Sequence, residues 1–146
     1  MTALKAKLFA GEGNASRTVA AQLPLIAQEF TEVRNCHPGT INVEFDTPVI
    51  IASPDHRTSP IRWKNNLQPG EEVFDLLRVS LEVSARNILS EAWIYVAHRS
   101  AHRKNLRKHE LIAPLLELDD ANEFIVTIKR SCIRLPYRHN DLYVVI

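Results

Sequence analysis

The chain has 146 residues, is 45% hydrophobic and carries a formal net charge of +1, a length at which one domain buries roughly two-thirds of its unfolded surface without staples. The near-zero charge removes any global bias toward nucleic acid or membranes. No stretch nears the ~20 apolar residues of a membrane span, and MTALKAKLFAGEG is too short in apolar residues for a secretory signal core, so a cytoplasmic protein with no membrane partner is expected.

Leu4 to Ala10 reads as a short strand, with Leu4, Ala6, Leu8 and Ala10 on one face. It ends in the turn signal Gly11-Glu12-Gly13-Asn14. Val19, Leu23, Ile26 and Phe30 recur at helical steps, and Pro24 fits best in a first turn, which predicts a helix from about Pro24 to Val33. Cys36-His37-Pro38-Gly39 is a tight turn. Cys36 and Cys132 are expected to be free thiols in a reducing compartment. Thr40 to Phe45 alternates as a strand, with Ile41, Val43 and Phe45 opposite Thr40, Asn42 and Glu44.

Val49 to Ala52 reads as a short buried strand. Ser53 to Gly70, with Pro54, Pro60 and Pro69, reads as a long loop with a β segment near Ile61 to Trp63. Val73 to Val83 alternates imperfectly, and Ala92 to Ala97 is a continuously apolar strand. Glu110 to Ala113 and Glu123 to Lys129 are further strands. The tail from Ser131 ends in LYVVI, read as one added strand that packs on the barrel or forms a dimer contact. Strands dominate, with turn signals and one clear helix, and the natural class is a mainly β single barrel. The expected organisation is a domain over 1–130 and a C-terminal extension over 131–146.

Two short motifs carry chemistry. Gly11-Glu12-Gly13-Asn14-Ala15-Ser16 follows a strand, where glycines let the backbone approach a ligand and aim successive N–H groups at an anion. A GxG pair by itself is more often a plain turn. In Pro38-Gly39-Thr40-Ile41-Asn42-Val43 the extended backbone turns Thr40 and Asn42 the same way. Their hydroxyl and amide oxygens are hard ligands of the kind Mg²⁺ takes alongside water and phosphates. An isolated TxN is more often a solvent-facing strand edge. HRSAHRKNLRKH, residues 98–109, holds five Lys or Arg, three His and no acid. It reads as a phosphate-binding patch or as a solvated basic loop.

Taken together and in order, a strand, GxGxxS, a helix and PGTINVEF resemble the archaeal CTP-dependent riboflavin kinases over about residues 4 to 130. AWIYVAHRSAH, Glu110-Leu111-Ile112-Ala113-Pro114 and LDDANEFIVTI extend the resemblance. It implies a six-stranded cradle-loop β-barrel with one or two short helices. The implied activity is transfer of the γ-phosphate of CTP, or of another nucleoside triphosphate, to the terminal ribityl hydroxyl of riboflavin.

The resemblance assigns nucleotide binding to Gly11, Glu12, Gly13, Asn14, Ala15 and Ser16, and Mg²⁺ to Thr40 and Asn42. Ser100 and Glu110 would meet the flavin substrate, Glu110 also as general base. Arg99, Arg103 or Lys104 would neutralise phosphate charge. The expected partners are a small-molecule substrate, riboflavin by resemblance, and either no other chain or a second copy.

The sequence departs from the family in four places. The third loop glycine is Ala15, and two residues are inserted between Ser100 and Glu110. PLLELDD lacks the family's lysine-leucine-arginine segment, unless Leu106-Arg107 is aligned there at the expense of ELIAP. The Ser53 to Gly70 loop has no counterpart.

Other constellations carry less. His98 and His102 have metal spacing only on a helix, and Cys36-His37 lacks a base or an oxyanion hole to make it a nucleophile. Trp63 and Trp93 read as core or pocket walls. The competing class is a non-catalytic barrel that binds a ligand or nucleic acid through the basic run.

Overall fold

The computed structural model describes residues 1–9, 15–63, 70–99, 105–139 and 142–145, with backbone alone over 15–18, 137–139 and 142–145. The fold is mainly β, a closed six-stranded antiparallel barrel with one α-helix. The barrel strands are β1 (Thr2–Leu8), β2 (Ile41–Phe45), β3 (Phe74–Val83), β4 (Ile88–Ala97), β5 (Lys108–Ile112) and β6 (Glu123–Ile128). They pair in the order β6-β1-β2-β5-β4-β3, and β6 pairs back onto β3 to close the ring. Among the described residues no helix is long and apolar enough to cross a membrane.

Alternation places one side chain in two inside the ring. Leu4 and Ala6 of β1, Val43 and Phe45 of β2, Leu77 to Val83 at every second position of β3, and Phe124, Val126 and Ile128 of β6 form the interior core. Ile125 of β6 stands opposite Glu82 of β3, the non-local pairing that closes the barrel. β3 and β4 are joined through Ser84–Arg86, followed by Asn87 at φ 53°, a left-handed position that asparagine tolerates better than most residues.

Helix α1 (Ala15–Glu29) lies outside the ring. Val19, Leu23 and Ile26 form a second apolar cluster with Val33, Cys36, Phe74, Leu76, Trp93, Tyr95 and Ile112. That cover explains two irregular stretches of sequence. Phe74 to Leu77 of β3 and Ala92 to Tyr95 of β4 are buried on both faces, so alternation vanishes there. It returns over Arg78 to Val83, where the outer face meets solvent.

The helix differs from the expected Pro24 to Val33. It begins nine residues earlier, at Ala15, encloses Pro24 and ends at Glu29, after which Thr31–Val33 form a 3₁₀ turn. An interior proline costs about 3 kcal/mol. Burying Val19, Leu23 and Ile26, which are 3, 6 and 1% exposed, contributes roughly 1.5–3 kcal/mol each. Tertiary burial therefore outweighs the local penalty.

Strand bounds shift as well. β1 ends at Leu8, which is exposed rather than inward-facing, and β4 starts at Ile88, before the apolar run. β5 starts at Lys108, two residues before the expected Glu110. The Ser53 to Gly70 segment holds more pairing than a loop. His56–Arg57 pairs with the start of β3, and Ile61–Trp63 pairs with Gly70–Glu72. At the other end Ile133 is fully buried in the interior cluster, and Ile133–Arg134 pairs with Ile50–Ile51. Leu142–Val145 pairs with Pro136–His139 as a hairpin.

Candidate functional site

Strand pairing assembles a polar row on the outer face of the barrel. Asn42 of β2 stands opposite Glu110 of β5, Glu110 opposite Tyr95 of β4, and Tyr95 opposite Leu76 of β3. Residues directly opposite one another share a face, so the row crosses four strands. Its Leu76–Tyr95 end lies in the apolar cluster under α1, while Glu110, Asn42 and neighbouring Thr40 are only half-buried.

At the open end three side-chain oxygens meet. Thr40 Oγ1 lies 3.4 Å from Asn42 Oδ1 and 3.4 Å from Glu110 Oε1. The hydroxyl has one proton and can donate it to only one of these acceptors at a time. Such a group of oxygens, two neutral and one a carboxylate, favours a hard cation. Oxygens adjacent in an octahedral Mg²⁺ shell at ~2.0–2.1 Å stand about 2.9 Å apart, so the 3.4 Å spacing is some 0.5 Å wider than that shell. The donor chemistry fits Mg²⁺ held with water and phosphate oxygens completing its coordination. Among the described residues no group of three or more His, Cys, Asp or Glu forms a metal site.

Phe9, the last described residue before Gly11, lies beside this trio. Phe9 N–H donates to Asn42 O at 3.1 Å, and Lys108 Nζ sits 4.9 Å from the centroid of the Phe9 ring. Gly11, Glu12, Gly13 and Asn14 lie outside the described residues, whereas Ala15 and Ser16 are the first residues of α1 rather than part of a loop. The helix carries no acid in its first turn, a charge pattern compatible with an anion there. Its position is fixed from below, where the Tyr95 hydroxyl donates to Gln22 Oε1 in a buried hydrogen bond. Burial, helped by the Glu110 and Glu72 carboxylates, raises the Tyr95 pKa, so the phenol keeps its proton.

A cavity of about 250 Å³ opens alongside, lined in part by Asp75, Tyr95, Val96, Lys108, His109 and Glu110. Asp75 anchors one wall. Arg57 donates to both its carboxylate oxygens at 2.7 and 3.1 Å, and His98 Nε2 lies 3.1 Å from Oδ2. Burial pushes the Asp75 pKa up, but the bonds from Arg57 and His98 together outweigh it and hold the carboxyl below its usual range. His109 contributes the other wall. Its Nε2 lies 3.0 Å from Val49 O and 3.1 Å from Leu106 O, which calls for a proton on that nitrogen. Burial nonetheless lowers the His109 pKa more than those contacts raise it, favouring the neutral ring.

The basic run after β4 is tied down at its start. Buried Glu72 accepts the backbone N–H groups of Val73 and Arg99, both at 2.9 Å. Arg99 itself is exposed. Ser100, His102, Arg103 and Lys104 lie outside the described residues. Cys36 is packed in the helix-side cluster, and burial, with Glu91 adding to it, pushes its thiol up to about 12. A thiol so protonated is no nucleophile.

Sequence reasoning brings Thr40, Asn42 and Glu110 into one site, includes Lys108 only as a member of the basic run, and overlooks Asp75, Glu72 and the Gln22–Tyr95 pair. What singles Lys108 out of that run is its place two residues before Glu110, on the same face once the strand is extended to Lys108. The Gln22–Tyr95 contact spans 73 positions and leaves no trace in local periodicity. In comparisons with known proteins, no family model matches the chain and no curated protein matches it.

Proposed function

We propose that this protein is a nucleotide- and Mg²⁺-dependent small-molecule kinase of the CTP-dependent riboflavin kinase type. One observation carries the reading: Thr40 Oγ1 lies within 3.4 Å of both Asn42 Oδ1 and Glu110 Oε1. The resemblance nominates the first two as metal ligands and the third as base, from motifs 70 positions apart. Their meeting at one point is what a phosphoryl-transfer site needs. The bond to Asn42 O from the N–H of Phe9, two residues before Gly11, adds to it.

In this reading Thr40 and Asn42 hold Mg²⁺, which supplies charge neutralisation to the phosphates of the bound nucleotide. By the resemblance, residues 11–16 would supply backbone N–H groups to the same phosphates. Glu110 accepts a hydrogen bond from the primary hydroxyl of the acceptor and orients its oxygen toward the γ-phosphorus. As the new O–P bond forms, the bond from the γ-phosphorus to the bridging oxygen breaks. The hydroxyl proton passes to the Glu110 carboxylate, and the nucleoside diphosphate leaves. Tyr95 and α1 hold the site in shape, and the neighbouring cavity offers room for part of the acceptor.

The test is a thermal-shift series with CTP, ATP and Mg²⁺, followed by chromatography of riboflavin incubated with CTP and Mg²⁺. A ligand at 100 times its Kd stabilises the fold by about 2.7 kcal/mol, so nucleotide plus metal is expected to raise Tm and riboflavin to be converted to FMN. Stabilisation by duplex DNA alone, fading steeply with salt, would instead favour the non-catalytic barrel. No response to any nucleoside triphosphate with Mg²⁺ would end the kinase reading.

A further inference from the structure

We infer that Lys108 is the phosphate-neutralising residue of this site, a role to which the sequence nominates Arg99, Arg103 and Lys104. The inference rests on the reading that a polyphosphate chain lies beside the Thr40–Asn42–Glu110 trio. Lys108 is the first residue of β5 and stands two residues before Glu110 on the same outward face. It pairs in register with Glu44, which is two residues beyond Asn42 on β2. Its ammonium lies 4.9 Å from the Phe9 ring centroid, and Phe9 is bonded through its N–H to Asn42. Lys108 also lines the 250 Å³ cavity together with Glu110.

The cation therefore sits over Phe9, on the same face as Glu110 of the oxygen trio and at the edge of the cavity. Among the described residues no carboxylate forms a salt bridge with it. An ammonium held over an aromatic face is oriented at little cost, and it keeps donors for further acceptors. The two acceptor oxygens nearby, one of them a carboxylate's, would repel a bare phosphate. A lysine on the same face offsets that repulsion and fixes where the anionic chain can lie.

Inorganic tripolyphosphate with Mg²⁺ isolates this contact from nucleoside recognition and from catalysis. Affinity is measured by calorimetry on the full-length protein for wild type, Lys108→Met, Lys108→Arg and Phe9→Leu, with CTP and cytidine in parallel. Lys108→Met, which keeps the apolar stem, is expected to weaken tripolyphosphate and CTP by at least tenfold, to leave cytidine unchanged and to flatten the salt dependence. Lys108→Arg is expected to stay within about threefold of wild type. Phe9→Leu removes the ring contact but keeps the charge, and is expected to bind far better than Lys108→Met. Wild-type affinity in Lys108→Met, or no tripolyphosphate binding by wild type, overturns the inference. Tripolyphosphate binding lost in Lys108→Met without any FMN formation by wild type would leave it standing and sink the kinase reading alone.

Discussion

Replacing Tyr95 by phenylalanine removes a single oxygen from the interface between α1 and the barrel. The hydroxyl donates to Gln22 Oε1, and the two residues are 6 and 3% exposed. The ring stays stacked on Phe74, with centroids 5.2 Å apart, so packing is conserved and the amide oxygen is left without this donor in a dry place. That loss costs about 1–3 kcal/mol, or roughly 3–9 °C in Tm at about 3 °C per kcal/mol for a chain of this size. Urea unfolding followed by circular dichroism measures it. A cycle with Gln22→Leu should show coupling of about 1 kcal/mol or more, because the double variant strands neither group. The alkaline limb supplies an independent check. Burial, with Glu110 and Glu72 nearby, raises the Tyr95 pKa above its ordinary 10.0 in the folded chain. The stability this gives is whole below pH 10 and falls above it by about 1.4 kcal/mol per pH unit. Wild type should therefore weaken above pH 10 with a slope from this residue that Tyr95→Phe lacks. A cost under about 0.5 kcal/mol with an additive cycle would refute the argument that this bond anchors the helix.

Thr40→Val combined with Asn42→Leu should abolish Mg²⁺-dependent nucleotide binding in calorimetry and leave the circular dichroism spectrum unchanged. Unaltered binding would remove both from the metal site. Glu110→Gln keeps shape and loses the proton acceptor, so FMN formation should fall by about 10²-fold or more, with CTP affinity within a fewfold of wild type. Asp75→Asn should cost about 1–2 kcal/mol, because Arg57, at 60% exposure, recovers hydration. With its folded pKa depressed, Asp75 contributes stability above its usual pKa near 4, lost as pH falls below it, so the variant should show a shallower acid limb in unfolding between about pH 4 and 2. Gly70→Ala brings a Cβ within 2.2 Å of the Trp63 ring and should destabilise by about 1–3 kcal/mol, visible as a lower Tm and altered tryptophan fluorescence.

What the sequence makes legible follows from which forces are local. Alternation marks Ile41 to Phe45 and Glu123 to Ile128 because one face meets the core and the other meets solvent, and both strands fall within a residue of expectation. It fails at Phe74 to Leu77 and at Ala92 to Tyr95, where α1 covers the second face. The helix start is misjudged for the converse reason. Pro24 is a strong local signal, but Val19 and Leu23 are held by Trp93, Tyr95 and Ile112 from distant strands, and that burial does not register in a local window. The site shows the same division. Thr40 and Asn42 share a face by simple strand geometry, whereas Glu110 reaches them only through the β2–β5 register. Asp75 escapes notice because an acid inside an apolar strand has no local signature, and only folding brings Arg57 and His98 to it.

The placement of the site also says how freely its chemistry can change. Stability rests on two apolar bodies, the ring interior and the layer under α1, and the oxygen trio belongs to neither. Asn42 and Glu110 are half-buried members of a cross-strand row whose other end, Tyr95 and Leu76, is locked beneath the helix. A substitution at Asn42 gives up its long hydrogen bond with Thr40, worth about 1 kcal/mol or less, while the backbone pairing that sets its position remains intact. The barrel thus separates the residues that define the fold from those of the proposed site. Thr40→Val with Asn42→Leu, or Lys108→Met, should weaken nucleotide affinity, and Glu110→Gln should slow the reaction, while unfolding midpoints barely shift.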